Sequence, residues 1–149
     1  MLFNIIFGLI VPWLTVGVFL FIKEKKIIFY IVPFVSVISY IENTLTYQFG
    51  FNYIAPKELS NLSQLLTDIG YFALVGGLFI YAIERLNVHV PLIIFIFSII
   101  STATEYPFVL VGKIIYENGW NFVYTFFSYL IPYVILYCFY YSLKKLNLY

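Results

Sequence analysis

Five stretches of this chain are each apolar over about the 20 residues that a helix needs to cross the hydrocarbon of a bilayer. They cover about 2–22, 27–47, 66–84, 90–112 and 121–143, and only the connection 48–65 is long. A water-facing surface is out of reach, because 10% of the residues are charged and mean hydropathy is +0.97. Soluble domains carry about 25% charged residues. The sequence therefore predicts an all-α integral membrane bundle of five transmembrane helices, built as a single transmembrane domain over 1–149. The opening MLFNIIFGLIVPWLTVGVFLFIKEKK lacks a basic leader and a small-residue cleavage site. It reads as the first span rather than a signal peptide.

Lysine and arginine set the expected orientation. Lys23, Lys25 and Lys26 follow span 1, Arg85 follows span 3, and Lys144 and Lys145 follow span 5. Five alternating spans put these six on one side and leave Lys57 and Lys113 on the other. The positive-inside rule then places the N-terminus outside and the C-terminus in the cytoplasm. Trp120 suits the outer interface, and Asn118-Gly119 before it is a turn signal. The segment PKELSNLSQLLTDIGYF is expected to form a short interfacial helix leading into span 3.

Within this apolar frame the acids are the anomaly. At 1.5 Å rise per residue, Glu105 stands about 22 Å above the start of span 4, and Glu42 about as high on span 2. Asp68 stands roughly 24 Å above the end of span 3, with Ser128 at a similar height on span 5. Three carboxylates and a serine from four helices thus share one layer in the outer part of the hydrocarbon. Ser98, Thr102 and Glu105 follow helical spacing along one face, and so do Ser39, Asn43 and Thr46 beside Glu42. Tyr40, Tyr47, Tyr71, Tyr106, Tyr124 and Tyr129 lie near the same height, among 15 tyrosines in all.

This layer holds acids without a base. At least one carboxyl is expected to carry a proton, or a cation or amine to sit among them. An intramembrane ionisable group is a functional-site hypothesis by default. The expected ion- or substrate-binding residues are Glu42, Asp68, Glu105, Asn43, Thr102, Tyr106 and Ser128. Pro107 removes a backbone donor and frees a carbonyl near Glu105. The alternative for Ser98, Ser101, Thr102 and Ser128 is inter-helix hydrogen bonding. Asp68 also fits a first-turn acid at a helix N-terminus. Ala73, Gly76 and Gly77 read as a close helix-packing face.

Nucleotide-binding, dinucleotide-binding and zinc-protease motifs are absent. One cysteine (Cys138) and one histidine (His89) cannot build a metal site of those ligands, so the sequence calls for no metal and no cofactor. A net charge of +1 gives no reason to expect nucleic acid.

Glu42, Pro56, the TEY acid Glu105, the NGW turn with Trp120 and the pair Ser128-Tyr129 resemble a family of small multi-span membrane proteins of spore-forming Gram-positive bacteria. The resemblance implies a bacterial cytoplasmic (inner) membrane location and a link to sporulation or the envelope, and brings no activity with it. From the residues themselves the leading expectation is an acidic, aromatic pocket for a cation, amine or lipid headgroup, within a transport or envelope assembly. So short a chain is expected to associate with itself or with a larger membrane assembly. The alternatives are an intramembrane enzyme on a lipid-like substrate, with Glu105 as catalytic general acid or base, and a structural or accessory subunit.

Overall fold

The computed structural model describes residues 2–149. It is mostly helical, with five helices long and apolar enough to cross a membrane: α1 Asn4–Lys23, α2 Ile27–Gln48, α3 Lys57–Arg85, α4 Val90–Leu110 and α5 Phe122–Lys145. The third differs from its expected form. No separate interfacial helix precedes it, because a turn at Lys57–Leu59 runs straight into Ser60–Thr67 and on to Arg85.

Two short strands join the loops after α2 and α4. Strand β1 Asn52–Ile54 pairs antiparallel with β2 Ile114–Tyr116, with Tyr53 opposite Ile115. Backbone bonds from Ala55 to Lys113 and from Glu117 to Phe51 extend the ribbon at both ends. Gly50, Gly112, Asn118 and Gly119 turn the chain with positive φ. Lys57 bridges Glu117 at 2.9 Å, and Phe51 stacks on Trp120 with ring centroids 5.0 Å apart. The ribbon shows that both loops lie at one end of the bundle.

The opposite end is tied by charge. Arg85 lies 3.8 Å from Glu24, and Lys144 lies 3.7 Å from Glu84, which also accepts from Tyr140. Adjacent in sequence, Glu84 and Arg85 thus clamp different helices.

Interior chemistry divides along the bundle axis. The fully buried apolar side chains Leu20, Ile27, Ile31, Leu74, Phe79 and Ile80 fill the half nearer the basic end. Buried polar side chains, among them Ser39, Ser63, Gln64, Asp68, Ser101 and Thr125, fill the half nearer the ribbon. Small residues let the helices meet closely. A Cβ on Gly76 would press on Val35, and one on Gly77 on Leu20 and Ile27. One on Gly70 would collide with the carbonyl oxygen of Gly8, so α1 and α3 touch backbone to backbone.

Several turns are wound more widely than an α-helix. Asn4–Ile10 and Ile27–Ile31 are π-helical and precede Pro12 and Pro33, whose rings would crowd the carbonyl four residues back in a tighter turn. Asp68–Phe72 in α3 is π-helical without a proline. Such turns interrupt helices frequently at functional sites. Here the carbonyl of Ile69 accepts from the indole of Trp13 at 2.9 Å, which ties α1 to α3 beside Asp68.

Candidate functional site

Beneath the ribbon the helices line a small cavity, open at its mouth. Asn52, Tyr53, Ile54 and Ile114 form its roof. Helix α2 contributes Ser39, Glu42 and Asn43; α3 contributes Gln64, Phe72 and Gly76; and α4 contributes Glu105. Thr125, Ser128, Tyr129, Pro132 and Tyr133 come from α5. Two carboxylates therefore face one space that has no lysine, arginine or histidine in its lining.

Glu105 is the most fully held of the acids. Its Oε1 accepts from Tyr116 and its Oε2 from Tyr129, each at 2.6 Å. These are distances of charge-assisted O–H···O⁻ bonds. Tyr116 comes from the roof and Tyr129 from the wall, so the acid joins the two. A directed chain continues outward: the Trp120 indole donates to Thr125 Oγ1 at 2.9 Å, and Thr125 donates to Tyr116 at 2.9 Å. Chains of this kind polarise one another in a low-dielectric interior. Burial and the neighbouring Glu105 charge hold the Tyr116 hydroxyl well above the ordinary tyrosine range, so it stays a donor.

Glu42 stands across the cavity beside Ser128. The Ser128 hydroxyl lies 2.9 Å from the Thr125 carbonyl, to which it can donate, and within hydrogen-bonding reach of Glu42. Pro132, four residues on, supplies no N–H to the Ser128 carbonyl. Both residues line the cavity, which therefore carries a surplus of acceptors.

Asp68 is fully buried and reaches this space through one link. Asn43 donates to its Oδ1, and its Oδ2 has no partner among the described residues. Thr102 and Tyr106 do not line the cavity. Thr102 donates to the Ser98 carbonyl along its own helix, and Tyr106 lies half-exposed against Phe122. Residues on the ribbon were out of sight of helix-based reasoning. FNYI and KIIY, short β-prone runs beside turn glycines, were the signal for Tyr53, Ile54, Ile114 and Tyr116. Gln64 lay in the segment read as interfacial.

A second cavity lies toward α1, lined by Phe3, Asn4, Thr67, Tyr71 and Lys113 among others. Ile54, Phe72, Glu105, Ile114 and Tyr129 are common to both and form the partition. Among the described residues, no three His, Cys, Asp or Glu side chains are grouped to hold a metal ion. The acceptors suit a donor-bearing cation, with Phe72, Tyr129 and Tyr133 offering aromatic faces. Compared with family models, curated proteins and solved structures, the chain matches none of them.

Proposed function

We propose that this chain is an integral membrane protein whose acidic cavity binds an organic cation, an amine above all, within an envelope or transport assembly of a bacterial cytoplasmic membrane. One observation carries the reading: Glu42 and Glu105 share a cavity whose lining includes no basic side chain. In hydrocarbon such a pair needs a neutralising partner. The basic end of the bundle faces the cytoplasm by the positive-inside rule, and the ribbon and cavity face outward. A link to spore formers rests on the sequence resemblance alone.

An ammonium group brings several N–H donors and a positive charge, which matches an acceptor-rich site. The protein in lipid nanodiscs should bind butylamine saturably by calorimetry. Removing both charges, with Glu42→Gln and Glu105→Gln together, should weaken binding at least about tenfold, as expected when a desolvated charge pair loses a partner. An untouched affinity in that variant, or no binding to the wild type, would overturn the reading.

A further inference from the structure

The acidic cavity has a neighbour on the outside of the bundle. Helices α2 and α5 leave an open groove between them. Ile41, Leu45 and Phe49 form one wall, and Tyr124, Phe127 and Ile131 the other. Phe51 and Trp120, stacked beneath the ribbon, close its upper end. Four residues line both spaces: Ile38, Glu42, Ser128 and Pro132. Glu42 therefore stands at a lateral doorway, with apolar groove on one side and a second carboxylate, Glu105, on the other.

The dimensions match one class of ligand. From Tyr124 to Ile135 the groove follows α5 for about 16 Å at 1.5 Å per residue. That is about half of a hydrocarbon core of about 30 Å, the depth of one leaflet. Every groove on such a bundle touches lipid chains, but this one carries a carboxylate at mid-length, Glu42, with Ile38 on one side and Leu45 and Phe49 on the other. An ordinary lipid would lay its apolar chain against Glu42 with nothing to meet its charge. A chain with a cationic head meets it, and the head can advance to Glu105.

We propose that the ligand is an amphiphilic amine of the bilayer, an ammonium head on an alkyl chain. It enters sideways between α2 and α5, leaves its chain in the groove, and seats its head between Glu42 and Glu105. This rests on the acidic-cavity reading and adds the route and the chain.

The test compares butylamine, dodecylamine and dodecyl sulfate on the protein in phosphatidylcholine nanodiscs. Affinities are referred to the ligand's mole fraction in the bilayer, so that simple partitioning cancels. Dodecylamine should bind at least about tenfold more tightly than butylamine, since its chain packs against groove walls that butylamine is too short to reach, and packing contacts drive association within the bilayer. Ile131→Trp, which fills the groove from an exposed position, should remove that gain and leave butylamine unchanged. Ile41→Trp does the same from the opposite wall and guards against a variant that fails to fold. Equal affinities for the two amines, a gain that survives both tryptophans, or dodecyl sulfate competing as well as dodecylamine would each overturn the lateral route. If butylamine binds and loses affinity in the double glutamine variant while the groove variants change nothing, the cavity reading stands and this inference falls. If neither amine binds the wild type, both fall.

Discussion

Tyr116, the last residue of β2, donates a 2.6 Å hydrogen bond to Oε1 of Glu105 in α4. The roof of the cavity is thereby fastened to the acid beneath it, and whatever alters the charge of Glu105 acts on the ribbon too.

Tyr116→Phe should loosen both. Hydrogen bonds to charged groups contribute about 1.5–3 kcal/mol, so thermal unfolding in detergent, followed by tryptophan fluorescence, should shift to lower temperature. Amide exchange in β1 and β2 should rise more than in the lower halves of the helices. Unchanged ribbon protection would show that the bond does not hold the roof.

Asn43→Ala should damage the protein through Asp68 rather than through Asn43 itself. It strips Oδ1 of the carboxylate of its donor. Leaving a buried polar group without its partner costs about 1–3 kcal/mol, and more for a charged one. In an Asp68→Ala background the same change should cost little. Additive losses in this double-mutant cycle would deny the coupling.

Gly70→Ala should separate α1 from α3, since the new methyl meets the Gly8 carbonyl oxygen. Overpacking of this kind costs about 1–3 kcal/mol. A cross-link between cysteines placed at exposed positions of α1 and α3 should form more slowly in this variant.

Lys57→Ala should leave the melting temperature almost unmoved. The pair with Glu117 is exposed, and surface ion pairs of this kind are weak and screened by salt. A large loss would mean that the bridge closes the ribbon in a way that its backbone bonds do not.

At the basic end, burial first and then the Glu84 and Glu24 charges hold the Tyr149 hydroxyl above the ordinary value of 10.0. A value raised in the fold gives a contribution that is complete below the unfolded value and is lost as pH rises beyond it. The contribution of Tyr149 should therefore be constant through neutral pH and be lost in strong alkali. Tyr149→Phe should remove that loss, read from melting curves and tyrosinate absorbance.

How much was legible depended on whether the signal was local. A continuous apolar run is local, and four of the helices begin and end within a few residues of where the sequence predicts. The height of Glu42 and Glu105 needed only the constant rise of a helix. Which face each acid presents was less accessible. Thr102 shares the helical stripe of Glu105 yet bonds its own backbone, and Asp68 turns to Asn43 across a widened turn that no residue pattern announces. The ribbon was beyond reach for another reason. Each strand has three residues, and each finds its partner only across the whole of α3 and α4. Tyr116 lies on that ribbon, outside every helical span, although it makes one of the two bonds to Glu105.

The same connectivity sets an order of assembly during synthesis. Asn43 leaves the ribosome before Asp68, so that acid finds its donor as soon as it emerges. Glu105 has no such provision: Tyr116 and Tyr129 both follow it in the chain. Strand β1 likewise waits unpaired until β2 has been made. Glu105 leaves the ribosome ahead of both of its donors, and the chamber closes only when the last helix arrives. A chain stalled after α4 would hold a bare carboxylate under an open roof, a species that quality-control proteases could tell from the finished protein.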